Sequence, residues 1–491
     1  MWPRPWKGFE TWTIYTYRPD GTAASRTDYD AAGTAYANTF TYTTLGQLAT
    51  ATLPGSAGTA TYTWGLDGNM ASRTWGSNIT GTYAYDGAKR PASLSIKFAG
   101  SAAGTLSRTY DLAGNVLSET QTLVRSGGTG TNATLAYSQT QFYIYDAANR
   151  VTASSFDGSI PEARTYTYDA DGNRTAVSEA GVTFYYAYDA TDELIWKGPA
   201  AGGSGSSAFG YDALGNLRSS QPCGPDSGSL KPTTYSYDPA GHLLTIDDGT
   251  AAQKVTFTID AAGRHASEVI GSGATTTYEY LGTSDVISSE ATSGVTTYSG
   301  IDAIGDRLSQ GTASSVSGWL IADLHGNIVA AVSPGSSPVY LDAYRYDPYG
   351  ETVGSWAASS GSLTVPWRFQ GRILESAAGG TDLYDFGARS YDPDLGDFTS
   401  FDSVAGSAQN PLTLNRYLYA EANPATLVDP DGHRACGYDS TTHTVIECPD
   451  VPATISCGYD STTHTVIECT PEPPWESWRL PELESGGVRL F

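Results

Sequence analysis

Tyr166-Thr167-Tyr168-Asp169-Ala170-Asp171-Gly172-Asn173-Arg174 decides the fold. Side chains alternate along a strand, so Tyr166 and Tyr168 share one face and Thr167 takes the other. Asp169 follows as a residue whose carboxylate accepts hydrogen bonds from the backbone of the next turn. Gly172 offers a left-handed position at little steric cost. Thr175-Ala176-Val177 then runs back as a return strand. The nine residues therefore read as one β-hairpin corner, and Tyr185-Tyr186-Ala187-Tyr188-Asp189 opens the next.

The same signature recurs outward from this corner. Copies stand at Tyr29-Asp30, Tyr110-Asp111, Tyr145-Asp146, Tyr211-Asp212 and Tyr237-Asp238, with Ile259-Asp260 as a variant lacking its Tyr. Between Asp146 and Asp260 the Asp residues are spaced 23, 20, 23, 26 and 22 apart, a period suited to hairpins joined by variable loops. Internal repetition of this kind sets the architecture. One hairpin alone is marginal, so neighbours must pair edge to edge. A long strip of hairpins twists and must curl to bury a face and limit its edges. The expected fold class is all-β.

Composition agrees. Only 16% of residues are charged, while Gly numbers 55 and Tyr 33. Turns and strands use such residues; helices prefer Leu, Glu and Lys. The formal net charge of -25 opposes binding to nucleic acid or an anionic membrane through bulk electrostatics. No run of 18 apolar residues exists to span a membrane, and residues 1–30 show no secretory h-region. Repeat-like sequence begins almost at once, which points to a fragment of a longer parent.

With these residues on the page, the units resemble the YD repeats of the RHS and teneurin families, also found in the C components of bacterial ABC toxins. The resemblance covers roughly residues 9 to 350 and implies a hairpin strip wound into a spiral shell, complete or partial. Residues 318–433 resemble the approach to, and body of, an RHS repeat-associated core. Its landmarks are Phe369-Gln370-Gly371-Arg372, Leu383-Tyr384-Asp385-Phe386-Gly387-Ala388-Arg389-Ser390-Tyr391-Asp392-Pro393, Asn410-Pro411, Asn423-Pro424 and Asp429-Pro430-Asp431-Gly432. The expected division is a shell over 1–343, a core plug over 344–433 and a variable tail over 434–491.

In several members of that family the core cuts its own backbone after the Asp-Pro-x-Gly motif. The resemblance implies Arg389, Asp392 and Asp402 as the cutting residues and Gly432–His433 as the bond. Peptide hydrolysis needs a base and an acid, and two close carboxylates can share one proton. The other reading makes the three a buried polar network that fixes the plug. Four departures separate this chain from the family pattern: His433 for Leu, Asp397 for Arg, Ser390 for Tyr, and Ser403 where Pro is common.

The tail carries Cys436 to Cys448 repeated without change at Cys457 to Cys469. Each copy reads as a hairpin with its two Cys at the open end, where a disulfide can staple a unit lacking its own core. Zinc bound by Cys and His is the rival reading, although no Cys-x-x-Cys knuckle is present. Disulfides would place maturation in an oxidising compartment. Cys223 is the odd cysteine. Residues 434–491 hold three Arg, no Lys and nine acidic residues, which suits no nuclease.

The expected role is a structural shell that encloses or displays its own C-terminal segment, outside the cell or at its surface. Expected partners are that segment, other subunits of a secreted toxin or surface complex, or glycans. No cofactor and no metal are expected. The alternative is a non-catalytic adhesion or carbohydrate-binding module.

Overall fold

The computed structural model describes residues 12–29, 33, 35–54, 58–124, 136–157, 163–199, 203–223, 231–357, 363–377, 381–433, 435–439 and 444–447, with the pairs 459–460 and 465–466. Among these, thirty strands from Trp12–Tyr17 to Thr352–Ala357 form one sheet. Each strand pairs antiparallel with the next along the chain.

The Asp turn is the local cause. In the hairpin Arg164–Tyr168 and Arg174–Glu179, Tyr166 faces Val177 and a bulge separates Thr167 from Tyr168. One oxygen of Asp169 accepts the amides of Asp171 at 3.0 Å and Asn173 at 2.9 Å. Gly172 sits at φ +88°, where an L side chain is strained. The same double acceptance recurs at Asp146, Asp189, Asp212, Asp238 and Asp260. It also occurs at Asp86 and Asp302, which the sequence pattern did not single out. The expected copy at Asp30 lies outside the described residues.

In several units the Tyr fastens its hairpin to the one before. Tyr168 Oη donates to the Val151 carbonyl at 2.6 Å, Tyr145 to Val116 at 2.6 Å, Tyr110 to Pro91 at 2.7 Å and Tyr346 to Ile328 at 2.7 Å. A buried phenol needs such a partner, and the repeat supplies one about one hairpin upstream. The opposite face carries the Thr. Cross-strand hydroxyl pairs join Thr41 to Thr50, Thr61 to Thr74 and Thr109 to Ser118 at 2.7 Å each.

The strip curls back on itself. Tyr62 donates to Asp302, Arg73 pairs with Asp306, Arg108 donates to the Leu324 carbonyl and Arg164 pairs with Asp347. Tyr36 packs on Tyr298 with ring centres 3.8 Å apart. Early hairpins thus face late ones, yet the sheet stays open. Within the described residues, Trp12–Tyr17 pairs only with Ala23–Tyr29, and Thr352–Ala357 only with Tyr340–Tyr346. The division expected at 343/344 falls inside the strand Tyr340–Tyr346, and the large sheet continues to Ala357.

A second sheet of four short strands follows: Ile373–Ala377, Thr381–Asp385, Ser390–Asp392 and Asp397–Phe398. Phe369, Tyr384, Phe386, Tyr391, Phe398 and Tyr419 form its buried aromatic centre. This plug grips the turns of the shell. Asn415 donates to the Asn173 side chain at 2.6 Å, and Asn423 to that of Asn115 at 3.0 Å. Tyr417 Oη donates to the Gly215 carbonyl at 2.8 Å, and His325 Nε2 to that of Pro424 at 2.8 Å. The two Asn-Pro landmarks differ in use: Asn423-Pro424 supplies two of these contacts, while Asn410 precedes the short turn Pro411–Leu414.

Beyond the plug, Cys436–Asp439 pairs with Thr444–Glu447 on one side and with Leu427–Val428 on the other. Cys436 is buried and disulfide-bonded; Cys448, Cys457 and Cys469 lie outside the described residues. Cys223 is free and exposed. No helix among the described residues is long and apolar enough to cross a membrane.

Candidate functional site

The Gly432–His433 peptide lies against the plug and is held at both of its polar atoms. Arg389 Nε donates to the Gly432 carbonyl, and the His433 amide donates to Asp429 Oδ1 at 3.0 Å. Asp429 Oδ1 also accepts the Gly432 amide at 2.8 Å. Gly432 is required here. Its φ is +80°, and an added Cβ would meet the Phe386 carbonyl oxygen at 3.0 Å and the Arg389 nitrogen at 3.1 Å.

Arg389 is the hub. Its guanidinium lies 3.6 Å from the centre of the Phe398 ring, so packing fixes its plane. Nη1 donates to the Arg416 carbonyl at 2.7 Å. Nη2 pairs with Asp402 Oδ2 at 3.0 Å and reaches Asp429 Oδ2 at 3.8 Å. Asp402 Oδ1 meets His433 Nδ1 at 2.7 Å. Arg389, Asp402, Asp429 and His433 line one cleft.

Burial sets the electrostatics. It raises the Asp429 carboxyl well above the usual range, against the pull of Arg389. It lowers Arg389, against Asp402 and Asp429. Burial also depresses the His433 imidazole, but the hydrogen bond and charge of Asp402 outweigh it, and the net shift is upward.

Of the three residues implied by resemblance, the structure brings Arg389 and Asp402 together. Asp392 is elsewhere. Its carboxylate caps the turn that follows, accepting the amides of Asp394 at 3.0 Å and Leu395 at 3.1 Å. After burial, the charges acting on it most are Asp394 and Lys197. A second carboxylate at the bond is Asp429, the first residue of the Asp-Pro-x-Gly motif, and Asp431 Oδ1 also accepts the His433 amide at 3.0 Å. That motif was the available signal, and it was read as a landmark rather than as a ligand of the bond.

Two further landmarks hold Asp429 in place. Gln370 accepts the Asp429 amide at 3.3 Å, and Arg372 donates to the Asp429 carbonyl at 3.3 Å and to that of Pro430. Asp397 turns toward the shell, with Tyr188 Oη donating to it at 3.4 Å and Arg174 nearby. Burial raises its carboxyl to about 7, against Arg174. A folded pKa above the unfolded one gives stability that is full below the unfolded value and lost as pH rises through about 7. Asp397→Asn should therefore raise Tm at pH 8 relative to wild type and change it little near pH 4. Thermal unfolding at both pH values checks this; an equal shift at both would remove the ionisation account.

Consecutive hairpins with Asp turns, curled around their own plug, define a YD-repeat β-shell. The teneurin YD-shell family model matches residues 38–425, and the chain belongs to that family. It is 28% identical over 284 residues to the tRNA3(Ser)-specific nuclease WapA of Bacillus spizizenii, covering 56% of this chain and 11% of that protein. It is 27% identical to the tRNA nuclease WapA of Bacillus subtilis over 56% of this chain and 11% of that relative. The chain thus spans about a tenth of these relatives. The crystal structure of TcdB2-TccC3 without its hypervariable C-terminal region superposes on 86% of this chain and 21% of that one, with TM-score 0.57 and 18% identity. At that identity the likeness concerns the fold.

Proposed function

We propose that this YD-repeat shell encloses or displays its own C-terminal segment and frees it by cutting the Gly432–His433 bond. The carrying observation is the grip on that peptide: Arg389 on its oxygen, Asp429 on its nitrogen, and Asp402 paired to the same arginine. Asp402 serves as base for a water that attacks the Gly432 carbonyl carbon. Arg389 stabilises the charge that develops on the carbonyl oxygen. Asp429, whose buried carboxyl favours the protonated form, gives its proton to the His433 nitrogen as the C–N bond breaks. The products are a carboxylate at Gly432 and an amine at His433.

On this reading the shell works outside the cell or at its surface, with its own C-terminal segment and other subunits of a secreted complex as partners. The nuclease activity in the names of the Bacillus relatives is not carried over, because the tail holds no Lys, three Arg and nine acidic residues. Arg389→Gln tests the reading. The wild-type chain should yield a fragment whose first residue is His433 by N-terminal sequencing, and the variant should yield none. A fragment starting elsewhere, or equal cutting in both proteins, would remove the proposed chemistry.

A further inference from the structure

A second cluster lies where the plug meets the shell. His265 stands on the shell strand His265–Ile270. Glu375 and Asp385 stand on the two strands of the plug hairpin, Ile373–Ala377 and Thr381–Asp385. One ligand atom from each lies within 4.8 Å of the others. Nδ1 of His265 is 2.6 Å from Glu375 Oε1 and 3.9 Å from Asp385 Oδ2.

The three groups are aimed rather than merely close. The imidazole stacks on Phe257 with ring centres 4.1 Å apart and planes at 7°, so it cannot swing. The ring is also held by the Leu243 backbone, which leaves Nδ1 for the carboxylates. Asp385 Oδ1 is taken by the Gly387 amide at 2.7 Å, leaving Oδ2 toward the cluster. Glu375 is 4% exposed, and its Oε2 is buried with no hydrogen-bond partner. Such an orphaned oxygen asks for an explanation.

A proton on His265 supplies part of one. It makes an ion pair with Glu375 Oε1 but leaves the buried Glu375 Oε2 unanswered. Two carboxyl groups face one imidazole, and Glu268 and Asp285 add to the local negative field. A doubly charged cation answers all of these groups at once. One imidazole nitrogen with carboxylate oxygens suits zinc or manganese, whereas calcium and magnesium favour oxygen alone.

We propose that His265, Glu375 and Asp385 form a binding site for a divalent transition-metal ion, zinc first, which clips the plug hairpin to the shell. With tetrahedral zinc bonds of about 2.0–2.2 Å, two ligand atoms sit roughly 3.3–3.6 Å apart, so the Glu375 carboxylate retreats from its 2.6 Å contact with His265 by about 0.7–1.0 Å on binding. The site shares no ligand with the centre at Gly432, although Asp385 and Arg389 line one cleft. It escaped sequence reading because His265 lies 110 residues from Glu375 and no ligand spacing marks it.

The test uses the full chain, stripped with EDTA and then loaded with Zn²⁺ or Co²⁺. Wild type should retain one equivalent more after dialysis than His265→Gln or Glu375→Gln, and each variant should bind at least about tenfold more weakly. Zn²⁺ should raise the Tm of wild type and not that of the variants. Co²⁺ should give visible d–d absorption without a thiolate charge-transfer band, which separates this site from the tail cysteines. Should either variant fail to fold, Asp385→Asn, at the half-exposed corner of the cluster, provides the same readouts. Wild type that holds no metal, or retention and Tm gain unchanged in the variants, overturns the proposal.

Discussion

Asp429→Asn should leave the chain uncut, while Asp392→Asn should still be cut. The two variants separate the carboxylate that geometry selects from the one that spacing selects. Asp429 accepts the amide of the bond itself and lies 3.8 Å from Arg389, whereas Asp392 is committed to the amides of its own turn. An amide at 429 preserves shape and the oxygen that accepts the Gly432 and His433 amides, but it loses the charge facing Arg389 and has no proton to give the departing amine. Loss of a general acid lowers a rate by about 10²–10⁴-fold. Denaturing mass spectrometry at timed intervals reads both variants. Cutting by Asp429→Asn at the wild-type rate, or its abolition in a folded Asp392→Asn, would reverse the assignment.

Phe386→Ala should produce the largest loss of stability and remove cutting with it. Phe386 is fully buried, with edge contacts to Tyr391, Phe398 and Tyr419 at ring-centre distances of 5.5, 5.8 and 5.6 Å. Its backbone oxygen also forms the wall against which Gly432 packs. Truncating a buried Phe costs about 3–5 kcal/mol, because the aromatic neighbours cannot close the cavity. The plug rests on this residue, so the Arg389 hub should loosen as well. Thermal unfolding and the fragment yield measure the two effects. A Tm within about 2 °C of wild type would mean that the cluster does not carry the plug.

The hairpins were legible because their cause is local. An Asp after an aromatic strand end answers two amides within four residues, and this shows in nine letters of sequence. The outer Thr pairs were equally implicit in the alternation. The curl was not legible, since Tyr62 meets Asp302 and Arg164 meets Asp347 across separations of 240 and 183 residues. Within the site, Arg389 and Asp402 were named by resemblance, and their contact is a fact of the fold. Asp392 stands apart from them because the turn at 393–396 directs its carboxylate to the amides of Asp394 and Leu395. Asp429 reaches the bond only because Gln370 and Arg372 hold its backbone from a distant segment. His433, noted as a departure from the family pattern, proves to touch Asp402 directly.

Intact mass under denaturing conditions, wild type beside Asp402→Asn, tests the account most directly. Folded and purified wild type should separate into two chains, residues 1–432 and 433–491, while Asp402→Asn stays at the full 51.8 kDa. Wild type that remains whole after prolonged incubation while folded would contradict it, and Arg389, Asp402 and Asp429 would then be a buried network that only holds the plug together.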